Sequence, residues 1–298
     1  MDLENKKEIK GRSLLADAAR RLYRNRLAMV MFVILFIYII MALISVFNIF
    51  NIETLATQHV EDVNMSFVPP FTDRANPLGT DIFGRNVLIR AVYGTKISMY
   101  LGFLTIALMV PIAVFFGSIA GYYGGILDDA IQYIMSVIYS VPGLIIILAF
   151  VLLLGPSFLN IALAFALTGW VGLARVIRGS FMQAREFEYV LAAKTLGAKD
   201  GRIIFKHILP NVFHYVIISA ILTFASVIMS EVLLAYLGLS IVGVPTWGTM
   251  IADASQEVSA GRWQNFLGAV PFIWVFVLAL NLIGDALRDA LDPRLRNL

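Results

Sequence analysis

The stretch that decides the fold is Glu188–Pro210, EYVLAAKTLGAKDGRIIFKHILP. It is a charged, amphipathic segment set between long apolar runs. The chain around it has a mean hydropathy of +0.82. A polar connection of this length in a lipid-soluble chain predicts a docking element.

Its local pattern predicts two helices joined by a turn. Helix-forming residues fill Arg185–Leu196, and Gly197 follows where a helix C-cap glycine belongs. Asp200 can cap the next helix, because a helix N-terminus favours a carboxylate. Pro210 falls near the start of the following apolar run, where proline is tolerated. The apolar positions at helical spacing in the first helix are Val190, Ala193 and Leu196.

Composition predicts an all-α membrane protein. Hydrophobic residues make up 59% of the 298 positions and charged residues 14%, against about 25% charge in soluble domains. A span needs roughly 20 apolar residues. The uncharged run between Asp129 and Arg175 is long enough for two, with Gly155-Pro156-Ser157 as the turn. The other runs are Leu27–Phe50, Ile97–Leu127, Ile208–Ser230 and Trp263–Gly284. The sequence therefore predicts six spans.

The basic residues predict orientation. With the N-terminus inside, the cytoplasmic pieces hold 18 of the 23 Lys and Arg residues, as the positive-inside rule requires. Both termini are therefore expected in the cytoplasm. The predicted divisions are a cytoplasmic N-terminal segment 1–26, a first span 27–50, an extracytoplasmic segment 51–96, a core 97–284 containing a cytoplasmic loop 175–207, and a cytoplasmic tail 285–298.

The N-terminal segment ends in a basic amphipathic pattern. Ser13–Arg26 places Leu15, Ala18 and Leu22 on one face and arginines elsewhere. This favours a helix on the inner membrane surface, with a solvated charge cluster as the alternative. The first apolar run is too long for a signal-peptide core and is interpreted as an anchor.

The loop resembles the cytoplasmic coupling loop of ABC importer permeases, which has the form E-A-A, three residues, G, nine residues, I-x-L-P. Leu191-Ala192-Ala193, Gly197 and Leu209-Pro210 fall at these spacings. Leu191 replaces the usual glutamate, and His207 stands where isoleucine is usual. Glu188 is a candidate substitute for the missing acid.

Other motifs extend this resemblance over most of the chain. It is similar to the C-type permeases of oligopeptide, dipeptide and nickel importers, with Asn86 departing from the usual aspartate. The matching segments are Gly79–Arg85, Gly94–Ser98, Glu231–Leu239, Trp247-Gly248 and Asp289–Arg294.

The resemblance implies a type I ABC importer permease fold in a bacterial cell membrane. It implies four kinds of partner, apart from membrane lipid. These are a second permease in a heterodimer, two ATP-binding subunits, an extracytoplasmic solute-binding protein and a peptide substrate. ATP and Mg²⁺ are expected on the ATPase subunits, with no cofactor on this chain.

Motif absences fit a chain that is not an enzyme. The sequence contains no G-x-x-x-x-G-K-[ST] phosphate loop and no G-x-G-x-x-G after a strand, so energy must come from a partner. His207 and His214 are seven positions apart, but no third ligand completes a metal site. No catalytic residue, metal site or nucleic-acid partner is expected.

The fifth span carries the candidate pathway residues. Steps of four, three and four place its hydroxyls on one helix face. They either line a wet pathway or serve close helix packing or bonding to the preceding turn. The four are Ser219, Thr223, Ser226 and Ser230. Glu231, the acid next to them, points away from this stripe and is interpreted as a structural acid rather than a substrate contact.

The sequence thus predicts a permease subunit for ATP-driven, binding-protein-dependent import of oligopeptides. A nickel or dipeptide permease of the same family is the alternative with the same architecture. A secondary transporter belongs to another class and is expected to carry buried charge pairs or inverted repeats.

Overall fold

The computed structural model describes residues 14–241 and 243–291. In these residues the regular structure is helical, apart from an isolated β-bridge between Thr80 and Asn86. The polar N-terminus and the end of the tail, Asp292 onward, lie outside the described residues. The helices are α1 (Leu14–Arg24), α2 (Arg26–Val46), α3 (Ile52–Thr57), α4 (Val87–Tyr123), α5 (Gly125–Ser140), α6 (Gly143–Leu154), α7 (Phe158–Ala184), α8 (Glu188–Thr195), α9 (Asp200–Arg202), α10 (Leu209–Tyr236), α11 (Trp247–Glu257) and α12 (Gln264–Leu291).

Five of the described helical segments are long and apolar enough to cross a membrane, with mean hydropathies of 1.6 to 3.1. They are α2, α4, α7, the continuous segment α9–α10 and α12. A sixth crossing is available if α5 and α6, which meet at an angle of 79°, form one bent span. The expected all-α, multi-span class is confirmed, and the cytoplasmic position of both termini stays a prediction.

Two interruptions divide the long uncharged run. The expected turn at Gly155-Pro156-Ser157 is present, with Gly155 at φ +82° and the Ser157 hydroxyl capping α7. A second break, not anticipated, separates α5 from α6 at Val141-Pro142. Val141 is extended, with φ −99° and ψ 131°, because a proline disfavours helical geometry in the residue before it.

The N-terminal pattern forms helix α1, which packs against α12. Asn25 ends it and starts α2, accepting a hydrogen bond from the Ala28 amide at 3.1 Å. Arg20 and Arg24 are exposed. Placement of α1 on a membrane surface stays a prediction.

The core forms where α4 and α7 lie side by side. A side chain at Gly117 would meet the Ala174 carbonyl, and one at Gly121 would meet Phe181. The two glycines, four residues apart on one helix face, let the helix backbones approach closely. Helix α4 begins at Val87, inside the segment 51–96 assigned to the outer side, so its first turns extend beyond the apolar run.

Candidate coupling segment and pathway helix

The candidate site begins with α8, which ends in a Schellman motif. Gly197 adopts φ +77°, its amide donates to the Lys194 carbonyl at 2.9 Å, and the Ala198 amide donates to the Ala193 carbonyl at 3.0 Å. This pattern satisfies carbonyls that a helix end otherwise leaves without donors. The expected glycine C-cap is confirmed.

The two faces of α8 meet different surroundings. Val190 and Ala193 are buried in a cluster with Phe181 and the isoleucines after α9. Leu191 is 46% exposed and Leu196 is 87% exposed. The helix is held to the membrane domain by one side and offers apolar side chains on the other. The remaining predicted residues there, Glu188 and Ala192, are also exposed.

The segment after the turn differs from the expectation in one respect. Asp200 does not cap a helix with its side chain, since Lys199 occupies the N-cap position. Instead the Asp200 carboxylate accepts a hydrogen bond from the Tyr122 hydroxyl at 2.7 Å. A tertiary contact has taken the place of the local one.

A π-helical segment, Ile203–Ile208, leads into α10. Pro210 has no amide hydrogen and its ring would crowd the carbonyl four residues earlier. The π-helical turn just before it is wider than an α-helical turn, a feature that helices often carry at functional sites. Leu209 is half-buried and Pro210 exposed. Helical structure is continuous from Asp200 to Tyr236, after the turn that separates α8 from α9.

The hydroxyl stripe lies on α10, as its spacing predicted. Ser226 is exposed, and the other three are half-buried. The Ser226 hydroxyl donates to the Leu222 carbonyl at 3.2 Å, and that of Ser230 to the Ser226 carbonyl at 2.8 Å. These two hydroxyls bond back to their own helix. Their role in a pathway stays a prediction.

Glu231 is buried, with 1% of its surface exposed. Its Oε1 accepts hydrogen bonds from the hydroxyls of Ser240 at 2.8 Å and Thr246 at 2.7 Å. Its carboxylate lies against Gly248, where an added Cβ would overlap it. The acid therefore holds the connection between α10 and α11 against the end of the fifth span.

Sequence reasoning missed a polar cluster at the opposite end of α4 from α8. Asp81, fully buried, pairs with Arg85 at 2.7 Å and with Arg90 at 2.5 Å. Arg90 also donates to Asn265 at 3.2 Å and to Asp253 at 3.5 Å. Arg85 just before α4 and Arg90 in its first turn were the available signal. Two of the acceptors of Arg90, Asp253 and Asn265, lie more than 160 positions later in the chain, so no local pattern revealed them.

Among residues 14–241 and 243–291, no group of three or more His, Cys, Asp or Glu side chains is arranged to hold a metal ion. His207 and His214 both lie along the segment that enters α10. Within the described part of the chain, neither histidine belongs to a group of three such side chains.

Comparison with known proteins matches two family models. Residues 113–297 match the binding-protein-dependent transport system inner membrane component. Residues 13–70 match the N-terminal TM domain of oligopeptide transport permease C. The first match alone covers more than half of the chain.

Curated relatives align over nearly the full length. The dipeptide transport system permease protein DppC of Bacillus subtilis is 38% identical over 282 residues, 94% of this chain and 86% of the relative. The oligopeptide transport system permease protein OppC of the same organism is 36% identical over 292 residues, 96% and 92% of the two chains. A solved chain of the MetNI methionine ABC transporter superposes with a TM-score of 0.48 at 16% identity, covering 67% of this chain and 96% of that one. The chain therefore belongs to the family of inner membrane components of binding-protein-dependent transport systems, the permeases of ABC importers.

Proposed function

We propose that this chain is the permease subunit of an ATP-driven, binding-protein-dependent importer of oligopeptides. It forms half of the translocation pathway, and a second, different permease forms the other half. Two ATP-binding subunits and an extracytoplasmic solute-binding protein complete the transporter. The proposal is supported by family membership and by relatives named as dipeptide and oligopeptide permeases.

The observation that carries the proposal is the two-faced helix α8. Leu191 and Leu196 are exposed on a polar connection, and the distribution of basic residues predicts that this connection is cytoplasmic and outside the lipid. Exposed apolar side chains on such a connection fit a protein interface. An ATPase subunit is the partner that the family supplies.

The rigid geometry of the connection suggests how force is transmitted. Nucleotide closes the two ATPase subunits and displaces α8, the helix held in a groove of one of them. Since α8 is packed by Val190 and Ala193 onto the ends of α7 and α10, these helices move with it. ATP thus has a different affinity for the two states of the transporter, as alternating access requires.

Roles for the remaining residues follow from this arrangement. Glu188 compensates for the glutamate that Leu191 replaces. The hydroxyl stripe on α10 offers hydrogen bonds to passing peptide groups of any sequence, and Glu231 supports the outer mouth. ATP and Mg²⁺ bind to the ATPase subunits, where hydrolysis occurs, and this chain contributes no catalytic residue.

A dipeptide importer is the second candidate, favoured by the relative named as a dipeptide permease at 38% identity. The shared architecture leaves cargo choice to the pathway and the binding protein. Competition between labelled dipeptides and longer peptides during uptake distinguishes the two candidates.

The test uses the whole transporter, purified with its partner subunits and reconstituted in proteoliposomes. We expect peptide uptake that requires ATP and the binding protein, and ATP hydrolysis that peptide-loaded binding protein stimulates. Uptake by this chain alone, driven by an ion gradient, would assign it to the secondary transporters. Uptake of nickel but not of peptide would assign it to the nickel permeases.

A further inference from the structure

Three side chains from the segment around α8 converge on the last turn of α4. The Tyr122 hydroxyl donates to Asp200 at 2.7 Å, and the Lys194 ammonium lies 5.1 Å from the centre of the Tyr122 ring. The Arg185 guanidinium is 3.4 Å from the carbonyl oxygens of Gly121 and Tyr122. The three come from before α8, from its last turn and from the start of α9, so they bracket the whole helix.

Each contact suits the place it occupies. Arg185 brings a positive charge to carbonyls at the C-terminus of α4, where the helix dipole is negative. Lys194 faces an aromatic ring, an arrangement that attracts an ammonium group. Tyr122 itself is 5% exposed, so its hydroxyl is held in one direction by the residues around it.

The end of α4 is also fixed to α7. A Cβ at Gly121 would meet Phe181 and the backbone of Arg178. The Arg178 guanidinium in turn grips the Asp128 carboxylate of α5 through two hydrogen bonds of 2.6 Å. The last turn of α4 is therefore packed closely on α7, which is itself joined to α5 by an ion pair. The Tyr122 side chain reaches from this turn to Asp200.

Helix α4 continues from this joint to the other end of the molecule. Its 37 residues span about 55 Å, more than the roughly 30 Å of hydrocarbon in a bilayer. Arg90, in its first turns, binds Asp81, Asn265 and Asp253. One helix thus connects the coupling segment, residues 185–210, with the outer polar cluster, which consists of Asp81, Arg85, Arg90, Asp253 and Asn265.

We infer that Tyr122 is a positioning residue for energy coupling: it ties α4 to α8, so that α4 carries displacement of the coupling segment to the outer polar cluster. This inference rests on the proposed function. It adds α4 to the helices α7 and α10, which precede and follow α8 in the chain and share a buried cluster with it.

The experiment compares Tyr122→Phe with Tyr123→Phe in the reconstituted transporter. The first variant removes the hydroxyl bonded to Asp200 and keeps the ring under Lys194. The second removes a neighbouring hydroxyl from a side chain that is 49% exposed, which makes it the matched control. Membrane abundance, basal ATP hydrolysis, peptide-stimulated hydrolysis and uptake are measured for each.

We expect Tyr122→Phe to lower uptake and stimulated hydrolysis about fivefold, the equivalent of one hydrogen bond, with basal hydrolysis and abundance unchanged. Asp200→Asn, which keeps an acceptor for the hydroxyl, should retain most of the stimulated rate. Because a purely structural residue would lower abundance and basal hydrolysis together, the split between the rates is the diagnostic result.

Wild-type rates in Tyr122→Phe, or equal losses in Tyr123→Phe, would overturn the inference. Parallel loss of basal hydrolysis and abundance would also overturn it. A wild-type transporter without peptide stimulation would refute the proposed function instead, so the two failures are distinguishable.

Discussion

Replacing Gly197 with valine isolates the backbone conformation that ends α8. Gly197 has φ +77° and nothing lies within 4 Å of an added Cβ, so the main effect expected of the substitution is on the backbone conformation. The left-handed conformation costs a residue with a Cβ about 1–2 kcal/mol. That cost lowers the ratio of capped to opened helix end about 5- to 30-fold. The elbow between α8 and α9 should lose its fixed angle while the spans stay inserted.

Two variants separate conformation from size. Gly197→Asn should keep most of the transport rate, because asparagine tolerates the left-handed region. Gly201→Ala is the matched control within the same segment, since nothing lies within 4 Å of its added Cβ and its φ is not left-handed. Alanine is expected to be neutral or slightly stabilising there.

The assay is ATP-dependent uptake of labelled peptide, divided by the amount of the chain in the membrane. In Gly197→Val, uptake per amount of chain should fall at least about fivefold, while the abundance of the chain in the membrane stays unchanged. Uptake at the wild-type rate in that variant would refute the rigid-elbow mechanism. Equal losses in Gly201→Ala would show that any substitution in the segment is harmful.

Three further predictions concern α10 and the outer face. Alanine at all four stripe hydroxyls should lower uptake and peptide-stimulated hydrolysis about fivefold or more, and unchanged values of both would remove the stripe from the pathway. Glu231→Gln should leave the complex intact, as measured by co-purification, because an acceptor for Ser240 and Thr246 remains. Glu231→Ala removes that acceptor and should lower the free energy of unfolding by about 1–3 kcal/mol. Loss of the complex in the glutamine variant would mean that the charge is needed. Burial raises the pKa of Glu257 above its ordinary value of 4.5, so the folded state favours the protonated carboxyl. The stability that this preference contributes is fully present at low pH and is lost as pH rises through the raised pKa. Thermal unfolding from acidic to neutral pH should show this decline, and Glu257→Gln should flatten it.

Most of the helical architecture was predictable because it depends on local pattern. Uncharged runs located the spans, and Gly155-Pro156-Ser157 located the turn before α7. Gly197 was predictable for the same reason, since its conformation is set by the helix that it ends. The break at Val141-Pro142 was missed because the residues on both sides are uncharged, so it does not interrupt the run that the span prediction used.

The contacts that position the site were not predictable in this way. The local sequence predicts that Asp200 caps a helix, but its carboxylate instead accepts a hydrogen bond from Tyr122, which is far away in sequence. Arg90 and its partners Asp253 and Asn265 are brought together by the packing of α4, α11 and α12. Side chains whose partners are set by helix packing carry no periodic signal, so a single sequence identifies them only as polar residues in unusual places.

The break between α5 and α6 has a consequence for the assembled transporter. The Val137 carbonyl accepts a hydrogen bond from the Ser140 hydroxyl at 2.7 Å, but the carbonyls after it have no continuing helix to supply donors. Ser140 and Val141 lie on the surface of this chain. Hydrocarbon cannot hydrogen-bond to such groups, so irregular backbone at membrane depth persists where it borders water or another polypeptide. In a single copy surrounded by lipid, the carbonyls at this bend would lack hydrogen-bond donors. We therefore expect water or a neighbouring subunit to contact the surface around the bend.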